Sequence, residues 1–287
     1  AGLRSLRIEE GMSFYAGKSV IVTGSSNGIG RGTAKLFAAN GAKVTITGRN
    51  AEALKVTKKE CLSVGAKEEN ILEIIADVGE ESVPAMIVQK TVEKFGGLDV
   101  LVNNAGICLM DPEERLYIQA PIPLFDQMMK VNLRAVVLFT QASVPHLEKT
   151  KGAVVNVSSI AGFPFAMQKD IYYAVTKAGL DQLTVQTAAD LIKRGIRVNS
   201  VNPGIIDTDI WAKLGLNNEQ VQKALDMWGT DLTQIPLGRY GTPEDIGKLI
   251  LFLSDRTQSE FIIGQRIVID GGTLLMNTLL STFAQNM

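Results

Sequence analysis

Short apolar, β-branched runs alternate along this chain with longer stretches of helical periodicity. The runs Ser19–Thr23, Lys43–Thr47, Ile71–Ala76, Asp99–Asn103, Ala153–Ser158, Arg197–Val201 and Arg266–Asp270 are nearly continuous in apolar character. That is the pattern of parallel strands buried on both faces. Between them Ile29–Asn40, Ala51–Val64, Glu81–Phe95, Leu124–Lys149, Ile171–Arg194 and Pro243–Ser254 read as helices. Thr242-Pro243 supplies a cap and a first-turn proline for the last of these. The βαβα alternation predicts an α/β fold, a single doubly wound domain with about seven parallel strands flanked by helices.

Two stretches break the pattern. Cys108–Pro123 holds Pro112, Pro121 and Pro123 and reads as a loop. Ile205–Tyr240 carries Trp211, Leu214, Met227 and Trp228 and reads as a partly helical lid. Both follow strands, so both border the crevice at the strands' carboxyl ends, where open α/β sheets bind ligands. Residues 1–11 differ in character from the rest and read as a leader or disordered arm; 12–273 form the domain, and 274–287 an apolar tail.

The composition narrows the function. With 46% hydrophobic and 21% charged residues the chain is globular, not disordered. A net charge of -1 gives no drive toward generic nucleic-acid binding. Apolar runs such as Ala135–Phe139 fall far short of the ~20 residues that span a bilayer, so no membrane insertion is expected. Two distant cysteines, Cys61 and Cys108, form no disulfide framework, and the cytoplasm is the expected compartment. The single histidine, His146, excludes two-histidine zinc motifs, and no metal site is expected.

Strand Ser19–Thr23 runs into Thr23-Gly24-Ser25-Ser26-Asn27-Gly28-Ile29-Gly30, and a helix follows. Glycines let backbone approach a ligand, and a helix N-terminus offers free amides to a pyrophosphate. Ser25, Ser26 and Asn27 add possible side-chain donors. The second strand ends in Gly48-Arg49, where an enzyme choosing NAD usually has Asp or Glu for the ribose 2′-hydroxyl. Gly48 repels no 2′-phosphate and Arg49 can pair with one, so the expected cofactor is NADP(H). Asp77, followed by Val78, is placed either to meet an adenine edge or to cap a helix.

Tyr173 and Lys177 lie four apart, on one helix face. A nearby ammonium favours phenolate and brings a phenol of pKa ~10 toward useful acid–base range. Ser158 and Ser159 leave the preceding strand, where a hydroxyl can hydrogen-bond a carbonyl oxygen beside the tyrosine. Asn103-Asn104-Ala105-Gly106 closes the fourth strand with small residues that leave room for a cofactor and amides that tie strands together. Asn132, mid-helix, reads as a buried polar tie or a helix-kinking water site.

Thr23–Gly30, Asn103–Gly106, Asn132, Ser159 with Tyr173-x-x-x-Lys177, and Pro203-Gly204 with Thr208 occur in the order found in the short-chain dehydrogenase/reductase family, which the chain resembles over residues ~15 to ~273. The nearest kinds are NADP-preferring carbonyl- or tropinone-reductase-like members. The resemblance implies a Rossmann-type domain and roles for particular residues. Tyr173 would be the general acid or base. Lys177 would lower its pKa and hold the nicotinamide ribose, Ser159 would polarise the substrate oxygen, and Asn132 would hold a water linking Lys177 to solvent. Pro203, Gly204 and Thr208 would border the nicotinamide. The family more often spaces its serine thirteen residues before the tyrosine; Ser159 stands fourteen before, consistent with one inserted residue in Ala161–Ile171. Asn27 stands where NADP-preferring members often carry a basic residue, so the cofactor reading rests on Gly48-Arg49.

The expected pocket wall is apolar: Ile107, Cys108, Phe163, Phe165, Met167, Trp211, Leu214, Met227 and Trp228. Such a wall suits a hydrophobic carbonyl or secondary alcohol. The long helices Leu124–Lys149 and Ile171–Arg194, apolar on more than one face, predict a homodimer or homotetramer. Two other classes compete with an oxidoreductase: a catalytically silent NADP(H)-binding sensor or scaffold, and a methyltransferase-like nucleotide binder.

Overall fold

The protein is described from a computed structural model covering residues 13–111, 117–164, 171–208 and 218–276. Seven parallel strands form one sheet: β1 (Ser19–Val22), β2 (Lys43–Gly48), β3 (Ile71–Ile75), β4 (Val100–Asn103), β5 (Ala153–Val157), β6 (Arg197–Pro203) and β7 (Arg266–Ile269). Their order is β3-β2-β1-β4-β5-β6-β7. The chain winds outward from β1 to β3, crosses back to β4, and winds out the other way to β7. The reversal lies between β1 and β4, and the crevice opens at their carboxyl ends.

The helices are α1 (Gly28–Ala39), α2 (Ala51–Ser63), α3 (Val83–Phe95), α4 (Ile122–Met129), α5 (Ala135–Thr150), α6 (Ile171–Leu191), α7 (Asn218–Thr230) and α8 (Pro243–Ser254). Strand alternation divides the core. Val20 and Val22 of β1 pack with Phe37 of α1, Leu54 of α2 and Ile250 of α8 on one face. Ile21 packs with Ile87 of α3, Phe139 of α5 and Leu191 of α6 on the other. Both faces are covered, which is why successive residues of the central strands are mostly apolar.

The expected elements are present with ends shifted by a residue or two. One helix differs in kind. The stretch expected as continuous over Leu124–Lys149 begins at Ile122, because Pro123 fits the first turn, where no amide bond is lost. It is then interrupted by a π turn at Lys130–Arg134 that carries Asn132. Thr242 caps α8 as expected, in a reciprocal box with Asp245. The two ends of the stretch expected as a lid are joined by a parallel bridge between Ile206 and Gly241.

Candidate active site

The carboxyl ends of β1 and β4 are sewn together. The Thr23 hydroxyl accepts from the amides of Asn104 and Ala105 at 2.9 and 3.0 Å. The Asn104 side chain donates to the carbonyls of Thr23 and Gly24 at 2.8 and 3.1 Å. Gly24 has φ +65°, and a Cβ there would stand 2.7 Å from the Ala105 Cα; one on Gly30 would run into Asn104. These glycines first serve backbone packed on backbone. One strand over, Asn103 donates to Asn156 at 2.9 Å and Asn156 to Thr184 of α6 at 2.9 Å.

One of the expected turn donors faces inward, and the acceptor end of another is held by a neighbour. The buried Ser25 hydroxyl donates to the Val22 carbonyl at 3.0 Å and accepts from the Thr47 amide at 2.8 Å. Asn27 Oδ1 accepts from Arg31 Nη2 at 2.6 Å, and the same nitrogen donates to the Ser26 carbonyl at 2.5 Å. Arg31 Nε also reaches the Thr57 hydroxyl on α2 at 3.1 Å. Asn27 is the cap residue of α1 but makes no side-chain cap bond, being held by Arg31. The first turn of α1 has no side-chain cap from Asn27, at the positive end of the helix, where a negative charge is favoured. Sequence reasoning passed over Arg31. Its one signal is a cation in the first turn of a helix, the unfavourable end for positive charge.

Ser26 lies half-buried against Gly48, where a Cβ would collide with its hydroxyl. Arg49 is exposed and loosely paired with Asp77 at 3.8 Å. The other Asp77 oxygen accepts from the Gly79 amide at 2.9 Å, a turn-capping role, while Val78 is buried beneath. Ile29 packs on the apolar core. Pro203 ends β6, and the Gly204 amide donates to Ile269 of β7 at 3.1 Å. The segment beyond folds over the start of α1: a Cβ on Gly28 would meet Thr208 Cγ2 at 2.9 Å.

On α6, Lys177 is buried, and its Nζ donates to the Val157 carbonyl at 2.9 Å and lies 5.5 Å from the Tyr173 ring centroid. Burial pushes the Lys177 ammonium down to about 8, opposed by Asp181 and Cys108. The two serines point differently. Ser158 is buried and donates to the Lys177 carbonyl at 3.2 Å. Ser159, half-buried, opens the single turn Ile160–Gly162 and accepts from the Ala161 amide at 3.1 Å, which leaves its own proton to donate.

Asn132 is a tie. Its Nδ2 donates to the Ile107 carbonyl at 2.8 Å and to the Thr176 hydroxyl at 3.0 Å, and its Oδ1 accepts from the Ile107 amide at 2.8 Å. The π turn brings this side chain between the β4 loop and α6, and Gly106 sits where Asn132 and Lys177 converge.

The expected pocket wall is only partly described. Cys108 is buried beside Lys177. Phe163 stacks against the Arg266 guanidinium on β7, 5.7 Å from its centroid. Met227 is exposed on α7. Phe165, Met167, Trp211 and Leu214, and the Trp228 side chain, lie outside the described residues. Among the described residues no group of three or more His, Cys, Asp or Glu side chains could hold a metal, and no helix is long and apolar enough to cross a membrane.

Comparison with known proteins adds to this geometry. A family model described as enoyl-(acyl carrier protein) reductase matches residues 24–273. The 3-oxoacyl-(acyl-carrier-protein) reductase FabG of Thermotoga maritima is 37% identical, over 90% of this chain and 98% of that protein. The L-fucose dehydrogenase of Bos taurus is 31% identical over 91% of each. A short-chain dehydrogenase/reductase of unknown function from Caenorhabditis elegans, solved with its cofactor, superposes with a TM-score of 0.91 at 44% identity, covering 93% of this chain and 98% of that one.

Proposed function

Because the chain belongs to the short-chain dehydrogenase/reductase family, whose members are oxidoreductases, we propose that it exchanges a hydride between NADP(H) and a carbonyl or secondary-alcohol substrate. The observation that carries this reading is the joining of α6 to the end of β5. Tyr173 and Lys177 lie one turn apart, and Lys177 is tied to Val157, two residues before Ser159.

When bound, the nicotinamide supplies or accepts the hydride. The chain's own residues do the rest. Tyr173 gives its phenol proton to the nascent alkoxide in reduction and takes it back in oxidation. The Lys177 ammonium favours the phenolate form of Tyr173. Ser159 donates to the substrate oxygen. Asn132 fixes the loop bearing Gly106 against α6. The open start of α1 receives the pyrophosphate, and Arg49, only loosely held by Asp77, receives the 2′-phosphate beside Ser26 and Gly48.

The apolar residues expected around the crevice suit a hydrophobic carbonyl, and the likeness to a 3-oxoacyl reductase favours the reductive direction. Ile122 on α4 and Val175 on α6 expose apolar surface that suits a homodimer or homotetramer. The expected compartment is the cytoplasm.

The test is NADPH and NADH consumption over ketosteroids, bicyclic ketones, quinones and lipid carbonyls, with Tyr173→Phe alongside. The expected result is turnover faster with NADPH and lost in the variant. Full turnover by Tyr173→Phe overturns the mechanism, and NADPH binding without turnover across the panel favours the sensor.

A further inference from the structure

Beneath the site lies a buried polar cluster that the proposed chemistry does not use. Asp181 stands four residues beyond Lys177 on α6, on the same helix face, and is 1% exposed. Both its oxygens accept from Asn202 Nδ2, at 2.9 and 3.0 Å. The orientation of that amide is set by the Ser159 carbonyl, which can only accept and takes a bond from the same Nδ2 at 3.1 Å. Asn202 Oδ1 at the other end accepts from the Ser200 hydroxyl at 3.0 Å. Ser158 lies between the Lys177 carbonyl and the Asp181 carboxylate, within reach of both.

Three consecutive residues at the end of β5 are therefore held from below. Val157 is held by Lys177 Nζ, Ser158 by α6, and Ser159 by Asn202, which Asp181 grips. The turn after Ser159 rests on the carboxylate. A Cβ on Gly162 would stand 2.7 Å from Asp181 Oδ2 and 3.0 Å from the Lys177 carbonyl.

We propose that Asp181 is a positioning residue of this site: it holds Asn202 against the Ser159 carbonyl and supplies the buried negative charge that keeps the Lys177 ammonium protonated. This rests on the reading of Lys177 as the cationic partner of Tyr173. Burial works against a buried lysine's charge, and a fixed anion one helix turn away opposes it. The groups facing Lys177 are Asp181 and Tyr173 on its own helix and Cys108 from the β4 loop. Those facing Asp181 are Lys177, Asn202 and Ser158, with the Arg266 guanidinium of β7. Burial pushes the Asp181 carboxyl up from its ordinary value, while the Asn202 and Ser158 donors and the Arg266 and Lys177 cations oppose that rise and favour the carboxylate.

The experiment is the titration of Lys177 by NMR in protein labelled with 13Cε-lysine, the resonance assigned by its loss in Lys177→Arg. Asp181→Asn keeps the shape and removes the charge. The expected result is a Lys177 midpoint lowered by about one pH unit. The alkaline limb of kcat/KM should move down with it, leaving turnover near wild type at pH 6 and about fivefold lower at pH 8. A loss of packing alone would lower activity equally at both pH values. An unchanged Lys177 midpoint overturns the proposal. If Asp181→Asn fails to fold, the wild-type protein decides through its 13C-labelled aspartates: an ionised Asp181 at pH 7 supports the proposal and a neutral one overturns it. Failure of the reductase reading is seen separately, as full turnover in Tyr173→Phe while Asp181→Asn still lowers the Lys177 midpoint.

Discussion

Replacing Asn132 with leucine, branched at the same carbon but bulkier and without polar atoms, removes three hydrogen bonds at the joint between the β4 loop and α6. Two go to the backbone of Ile107, at 2.8 Å each, and one to Thr176 at 3.0 Å. A neutral hydrogen bond is worth about 1 kcal/mol net, and a partner left unsatisfied in the interior costs about 1–3 kcal/mol. Ile107 is half-buried, so water reaches part of what is exposed and the low end applies. The expected loss is roughly 3–4 kcal/mol, or a melting point lower by roughly 6–15 °C for a domain of this size. Thr176→Val, which removes one of the three bonds, should cost about 1 kcal/mol. Thermal unfolding followed by circular dichroism measures both. An Asn132→Leu protein melting within about 2 °C of wild type would refute the reasoning, because the tie would then contribute nothing net.

Arg31→Met should weaken NADPH binding about tenfold with little change in fold, since Asn27 is released to cap α1 and compete for the amides an anion would use; fluorescence titration reads this. Gly24→Ala forces a Cβ to within 2.7 Å of the Ala105 backbone at φ +65°, and a loss of several kcal/mol in urea unfolding is expected. Lys177 gives a pH dependence of stability. Its folded value of about 8 lies below its ordinary value of 10.5, so the unfolded chain binds more protons between these and stability rises with pH across that window. Lys177→Met should therefore be the more stable protein at pH 7, by up to roughly 3 kcal/mol, with the gap closing toward pH 10.5; a constant gap in urea midpoints would show that burial does not shift this group.

Much of the site was already legible in residue spacing. Tyr173 and Lys177 share a helix face because of a four-residue interval, and the glycine turn lies between a strand and a helix because the periodicity changes there. What the spacing could not show was direction. The turn offers Ser25 as a donor to a ligand, yet its hydroxyl points into the joint of β1 and β2, and the acceptor oxygen of Asn27 is held by Arg31. The π turn is hidden because Leu124–Lys149 is apolar on more than one face, so the phase shift of about 100° from one extra residue leaves no break in its pattern.

The fold class follows from local pattern, since an apolar run between helices has to be buried on both faces wherever it ends up. The partners of each polar group depend on which strand ends meet, and those meetings join residues far apart in the chain. Asp181 shows the difference. As a letter in a helical stretch it reads as a solvated carboxylate. Only the crossover that sets β5 beside β6 buries it against Asn202 and beneath Ser159, where low dielectric gives its charge effect.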